Sequence, residues 1–215
     1  MAFPTTNNTE TDLSSVNSIL GAIGQAPVSR LCHESPDGEL TFINPEIAFV
    51  YQILQEVNTD VQNEGWTFNR ESHYPIQTDS NQEIVVPENM LRIDLYEGQV
   101  YRWRDTTVRN GKLYNKQTHS FKFENDTYSC DITWKFPFEE LPSVFQRYIT
   151  LRASARAATQ LVANPQLVEL LSIQEQQARS SCLEYECDMG DWSYFGTPDS
   201  AAYRPFQPFK ALARW

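Results

Sequence analysis

The hydrophobic pattern of the chain changes its period twice, and this change limits the possible folds more than any other feature. Apolar residues recur every three or four positions up to residue 65, alternate with polar residues from 66 to 136, and then return to helical spacing. Spacings of three and four are typical of amphipathic helices, whereas alternation is typical of half-buried strands. We therefore predict an α+β fold in which an antiparallel β insert, residues 66–136, interrupts a helix bundle formed by residues 1–65 and 137–188.

Two Asn-Pro pairs, at 44–45 and 164–165, mark the starts of two helices. An asparagine side chain caps the first backbone N–H groups of a helix, and proline suits the first helical position. Gly65 provides the left-handed residue that ends many helices, and Thr11 is a suitable N-cap. The pattern predicts helices at 12–24, 45–65, 141–162 and 165–188, with a loop at 25–44 that contains a turn signal at 35–38.

Short alternating runs predict the strands of the insert. Asn110-Gly111 and Glu97-Gly98 each lie between two runs, and Asn-Gly in particular favours a tight hairpin turn. Closely spaced runs joined by such turns indicate a meander or a small sandwich. The runs are 66–68, 84–86, 90–96, 100–103, 112–114, 121–123 and 128–134.

The net charge is −11, and the chain has only 8 glycines among 215 residues. No two glycines are adjacent or one residue apart, which excludes the Rossmann fingerprint and the Walker phosphate loop. An acidic chain is poorly suited to gripping nucleic acid by phosphate neutralisation. The sequence also lacks a long apolar run and a basic, apolar leader, so we predict neither a membrane span nor a signal peptide.

No catalytic or metal-binding motif stands out. We interpret His33, His73 and His119 as loop residues, and there is no serine in a nucleophile elbow. The four cysteines form no C-x-x-C pair and are predicted to be free thiols. The sequence therefore predicts no enzyme, no cofactor and no metal, and an enzyme with an unrecognised pair of acids is the weakest alternative.

The C-terminal segment, residues 189–215, has no hydrophobic period but is rich in aromatic residues and proline. We predict that it is an extended arm, which we call the aromatic arm. Exposed aromatics would favour aggregation, so the arm should be buried on its own subunit or on a neighbour, where it would act as an assembly element. Its interaction residues would be Trp192, Tyr194, Phe195, Tyr203, Phe206, Phe209 and Trp215.

Two charged clusters are further candidates for interaction. A basic and aromatic group in the insert indicates either a binding face or salt links with interleaved acids, and it consists of Arg92, Arg102, Trp103, Arg104 and Arg109. The second cluster, which we call the acidic run, lies at the predicted C-terminal end of the fourth helix, where negative charge opposes the helix dipole. It is either a solvated helix end or a contact surface, and its acids are Glu184, Glu186 and Asp188.

Several segments resemble the tail tubular protein A family, the head-to-tail adaptors of short-tailed, autographivirus-type phages. The resemblance begins with DLSSVNSILGAIGQAPV at 12–28 and continues with WTFN at 66–69 and VPENML at 86–91. It extends to ELPSVFQRYI at 140–149 and ARSSCLEYE at 178–186, so it spans nearly the whole chain in family order.

The resemblance implies a structural virion protein without enzymatic activity, with a helix bundle and a β domain. Family members form a dodecameric ring between the portal and the tail nozzle, tail tubular protein B, and help to seat the tail fibres. The expected location is the virion tail, after assembly in the host cytoplasm. Within the basic and aromatic group of the insert, which we call the arginine cluster, Arg102, Trp103, Arg104 and Arg109 would face the nozzle or the fibres.

The net charge of −11 predicts a role for the chain in such a ring. Twelve copies would carry roughly −130 charges, and an acidic wall would repel the phosphates of DNA sliding through it without binding. We predict that acids of residues 1–65, or the acidic run, face this channel. The alternative function is a ligand- or glycan-binding module in which Trp103 and Trp134 are stacking platforms.

Overall fold

The computed structural model describes residues 10–34, 40–95, 105–124 and 126–190, and these residues form an α+β fold. The fold class predicted from the sequence agrees with this mixture of helices and antiparallel sheets. The helices are α1 Asp12–Ala22, α2 Pro45–Asn63, α3 Ser143–Ala157 and α4 Pro165–Gly190, with a π-helical turn, Ala158–Val162, after α3. The strands are β1 Cys32–Glu34, β2 Leu40–Phe42, β3 Arg70–Gln77, β4 Met90–Leu95, β5 Thr106–Arg109, β6 Lys112–Asn115 and β7 Thr127–Trp134.

The predicted helix caps are confirmed. Thr11 forms a reciprocal capping box with Ser14, in which each hydroxyl accepts a hydrogen bond from the other residue's backbone N–H. The Asn44 Oδ1 atom accepts from the Glu46 N–H at 3.1 Å, and Asn164 caps α4 in the same way. These local signals fix the starts of three helices independently of the tertiary fold.

The four helices share one apolar core that is centred on α3, which packs against α1, α2 and α4. Leu54 and Val57 of α2 and Phe145 and Ile149 of α3 are fully buried in it. By contrast, α4 buries few of its 26 residues, namely Leu171, Ala178 and Cys182. Most of the circumference of α4 therefore faces away from the core.

The β insert has a second core beneath an antiparallel sheet in the order β3-β7-β4. Because β7 comes last in sequence but lies in the centre, the meander, one of the two predicted arrangements of the insert, is wrong. The β5-β6 hairpin turns at Asn110-Gly111, where both residues have positive φ angles of 53° and 69°, as the sequence predicts. Fully buried Ile84, Leu113 and Cys130 belong to this core.

Several predicted strands differ from the structure. Residues 66–68 form a turn, because Asn69 accepts the Trp66 N–H with its side chain and donates its own N–H to the Trp66 carbonyl. Residues 84–86 contain a single bridge at Val85, and 121–123 lie outside the strands. The runs at 100–103, the turn at 97–98 and the turn at 35–38 lie outside the described residues.

The structure also adds strands that the sequence pattern does not reveal. The predicted loop at 25–44 contains the β1-β2 hairpin, which places His33 in a strand. His73 lies in β3 beside a bulge, so the loop interpretation is wrong for these two histidines, whereas His119 does lie in a turn. No helix among the described residues is long and apolar enough to cross a membrane.

All four cysteines are free thiols, as predicted, but their environments differ. Burial raises the pKa of Cys130 and Cys182 to about 12, while Cys187 is exposed. A pKa of 12 leaves about one thiol in ten thousand ionised at pH 8. We therefore expect iodoacetamide to modify Cys187 first and to spare Cys130 and Cys182 until the protein unfolds. Peptide mass spectrometry of the native and urea-unfolded protein measures this order, and early labelling of Cys130 would contradict it.

Candidate interaction surfaces

The joint between the helices and the β insert is built from buried side-chain amides. The fully buried Gln62, near the end of α2, pairs with both backbone groups of Phe136: its Oε1 accepts the N–H at 2.8 Å and its Nε2 donates to the carbonyl at 2.9 Å. Asn69 donates to the carbonyl oxygens of Gln62 and Trp134, each at 2.9 Å. These bonds fix how the insert sits on the helices and thus where its outer strands point.

A row of ion pairs crosses the helices on the side of α2, α3 and α4. Arg179 of α4 forms a bidentate pair with Glu64, at 3.1 and 3.0 Å, and donates to the Tyr148 hydroxyl at 2.8 Å. Hydrogen bonding to Glu64 raises the pKa of the Arg179 guanidinium, so it stays charged. Arg152 of α3 also contacts Glu64 and Tyr148. These charges therefore hold the second half of α4 in addition to the apolar contacts of Ala178, Cys182 and Tyr185 with the core.

The three acids of the acidic run at the end of α4 have different environments. Glu184 and Asp188 are exposed. Glu186 instead turns towards the insert, where its carboxylate accepts the Thr67 N–H at 3.0 Å and the Thr67 hydroxyl at 2.6 Å. Glu186 thus fastens the end of α4 to the turn between α2 and β3, whereas the carboxylates of Glu184 and Asp188 have no bonding partner among the described residues.

Removal of this fastening should loosen one end of α4. We expect Glu186→Ala to raise amide hydrogen exchange at residues 183–190 and at Thr67 about tenfold, because hydrogen bonds to a charged carboxylate contribute about 1.5 kcal/mol or more. Glu184→Ala is the matched control, since it removes the same charge from an acid that forms no such bond. Equal exchange in the two variants would show that Glu186 has no fastening role.

Two members of the arginine cluster lie among the described residues, namely Arg92, which is exposed in β4, and Arg109. The Arg109 guanidinium carbon lies 4.1 Å from the centre of the half-buried Tyr114 ring, a cation–π geometry between β5 and β6. Asp105, one of the interleaved acids, pairs with Lys116 at 2.9 Å. Arg102, Trp103 and Arg104, like the seven aromatic residues of the arm, lie outside the described residues.

The geometry gives little support to the two alternative functions, an enzyme or a glycan-binding module. No group of His, Cys, Asp or Glu side chains in the described part of the chain is arranged to hold a metal ion. A groove of about 810 Å³ runs between α3 and α4, but its acid, Glu10, already accepts hydrogen bonds from Ser15 and Thr150. The Trp134 ring packs edge-on against Tyr74 at 5.5 Å and lies against the β core, which leaves less of it to stack on a sugar.

A family model for tail tubular proteins matches residues 13–192. This span contains nearly all of α1 and every described element that follows it. The chain belongs to the tail tubular protein family. No curated protein matches the chain. The family is a structural one, so this tail tubular protein is a structural component of a phage tail in the virion, and the resemblance seen in the sequence is confirmed at this level.

The sequence signals did not reveal the ion-pair row, the amide joint or the contact of Glu186 with Thr67. The partners in these contacts are separated by up to 119 residues. No spacing rule along one helix or strand connects such residues, although the polar residues at 174–181 indicate a helix that outlasts its apolar stripe and lies on another surface.

Proposed function

We propose that this tail tubular protein is a ring-forming adaptor that joins the portal to the tail nozzle and encloses the DNA channel. The observation that carries the proposal is the family match over residues 13–192, which suggests assembly with portal and other tail components. The family resemblance supplies the ring, with twelve copies as the expected number, and the contact with tail fibres.

The three parts of the chain would then have separate roles. Helical residues 1–65 and 137–188 would form the ring, and the insert, 66–136, would face the nozzle and the fibres with Arg102, Trp103, Arg104 and Arg109. The amide joint supports this division because it holds two distinct cores in a fixed relation. The aromatic arm, 189–215, would wrap a neighbouring copy or the portal.

The channel wall would be acidic. Glu184 and Asp188 are exposed carboxylates near the end of α4, and residues 1–65 carry nine acids and one base. Such a surface repels phosphate within a Debye length of about 8 Å and so lets DNA pass without specific binding. A basic lumen in the assembled ring would contradict this part of the proposal.

The proposed adaptor role is tested by assembling the chain on the portal protein as a template. The full chain is mixed with the portal protein of the virus that encodes it, and the complex is imaged by cryo-electron microscopy. We expect a closed ring of this chain on one face of the portal, with a free face that then accepts the nozzle protein. A portal that acquires no ring of this chain would overturn the adaptor role.

A further inference from the structure

Two groups of exposed apolar side chains lie on the helical part of the molecule. The first, which we call the α4 flank, consists of Leu161 and Val162 after α3 together with Leu170 and Ile173 on α4; Leu170 is 61% exposed. The second, the α2 flank, consists of Phe42, Ile43 and Phe49. Clusters of large apolar side chains on a surface are typical of sites that become buried in a complex.

The two flanks lie at the same end of the helices, on either side of the end of α1. Gln25, just after α1, donates a hydrogen bond at 3.2 Å to Glu46 at the start of α2. Ala22 and Ile23, at the end of α1, pack against the Leu171 cluster of α4. The end of α1 therefore contacts the start of α2 on one side and the start of α4 on the other.

The contacts of α3 place the two flanks on different sides of the molecule. Arg156 of α3 pairs with Glu56 of α2 at 2.7 Å, whereas the preceding residue, Ala155, packs against Leu171 of α4. Successive residues of a helix point about 100° apart, so α2 and α4 occupy different faces of α3. The two apolar groups are thus at a similar level but on different sides of the molecule.

Both flanks carry exposed charges that have no ion-pair partner among the described residues: Glu169 lies on the α4 flank and Arg30 on the α2 flank, which also carries Glu46, whose carboxylate accepts a hydrogen bond from Gln25. Glu169 is exposed one helical turn before Ile173 on the α4 flank. Arg30 is exposed on the α2 flank, next to Leu31, whose carbonyl accepts the Ile43 N–H. Arg30 is also the one basic residue among the first 65.

A closed ring needs two different and complementary patches on each copy, because each copy meets its neighbours through opposite sides. We infer that the α4 flank of one copy packs against the α2 flank of the next, with Glu169 facing Arg30 across the contact. The inference rests on the ring proposed above and names the surfaces that form it. Leucine and isoleucine of one flank would cover the phenylalanines of the other, and the charge pair would set the register.

Charge exchange provides a direct test. In portal-templated assembly, Arg30→Glu and Glu169→Arg should each lower the amount of complete ring about tenfold or more, because every contact in the ring then opposes like charges. The double variant should restore assembly towards the wild-type level. Glu88→Arg, which reverses an exposed acid of the insert, is the matched control and should assemble normally.

A second measurement does not depend on charge. Ile43→Cys with Ile173→Cys, in a Cys32→Ser and Cys187→Ser background, should give a ladder of disulfide-linked copies when the ring is oxidised on the portal. Either single cysteine variant should give no ladder. Circular dichroism of each variant establishes that these exposed substitutions leave the fold intact.

The outcomes separate the inference from the function it rests on. If the wild-type chain forms rings but the single charge reversals assemble normally, or the double variant is not rescued and no ladder forms, the flanks are not the contact and the adaptor role stands. If the wild-type chain forms no ring on the portal, both the inference and the adaptor role fail.

Discussion

A chain cut after Gly190 is expected to fold normally and to lose assembly. Both cores and all described helices and strands lie within residues 10–190, and the family match ends at residue 192. The segment removed, 191–215, contains seven aromatic residues and lies outside the described residues. Because aromatic side chains dominate the energetics of most interfaces, rings on portals should fall about a hundredfold or more.

The loss should depend on the aromatic side chains rather than on chain length. The matched control replaces residues 191–215 with a Gly/Ser linker of equal length, and it should fail as the truncation does. Size-exclusion chromatography with light scattering and circular dichroism report the fold and mass of the free chain, and electron microscopy counts rings on portals. Retained rings in the truncated chain would refute the role of the arm.

Asn69→Ala is expected to cause the largest loss of stability of any single truncation in the joint. Asn69 is 1% exposed, and its side chain satisfies the Trp66 N–H and the carbonyl oxygens of Gln62 and Trp134. The substitution leaves the Trp66 N–H, in the turn after α2, without its partner and removes one hydrogen bond from the carbonyl oxygens of Trp134 and Gln62; the Gln62 carbonyl keeps the bond from the Gly65 N–H. We expect a loss of about 3 kcal/mol in the free energy of unfolding, since one unpaired buried group costs about 1–3 kcal/mol.

The measurement is urea unfolding followed by circular dichroism, with thermal melts as support. A loss of this size lowers Tm by about 6–12 °C in a protein of this length. Asn63→Ala is the matched control: Asn63 is exposed at the end of α2, and its removal should change stability by less than about 0.5 kcal/mol. If the two variants unfold at the same urea concentration, the amide joint does not stabilise the fold.

The features that the sequence predicted well are those that depend on neighbouring residues. The caps at Thr11, Asn44 and Asn164 and the turn at Asn110-Gly111 need only residues two or three positions away. The run Trp66-Thr67-Phe68 shows the limit of such reasoning, because it alternates like a strand. The turn depends on the side chain of Asn69, a residue that lies outside the alternating run.

Strand β3 escaped prediction for a different reason. It lies at the edge of its sheet, and nearly all of its side chains are exposed, so it has no apolar face to alternate with a polar one. Its pairing with β7 is made by backbone hydrogen bonds, which leave no mark on residue type. Edge strands of this kind become visible only when the partner strand is in place.

The interaction surfaces were predicted only in part. The acidic run was found, but the sequence could not separate Glu186, whose carboxylate binds Thr67, from the exposed Glu184 and Asp188. The two flanks were hidden because Leu170 and Ile173 look like part of the buried stripe of α4. Which face of a helix is left open depends on how many neighbours pack against it, and this is a tertiary property.

The hydrogen bonds between Glu186 and Thr67 have a mechanical consequence. Helix α4 is about 39 Å long and ends at Gly190, four residues after Glu186, so residues 189–190 of the aromatic arm belong to the helix and the rest of the arm follows it in the chain. Tension on the arm therefore reaches the Glu186 carboxylate first and passes through Thr67 into the turn beneath β3. A pull at the end of the chain would be felt at the base of the insert before it strained the apolar contacts of α4.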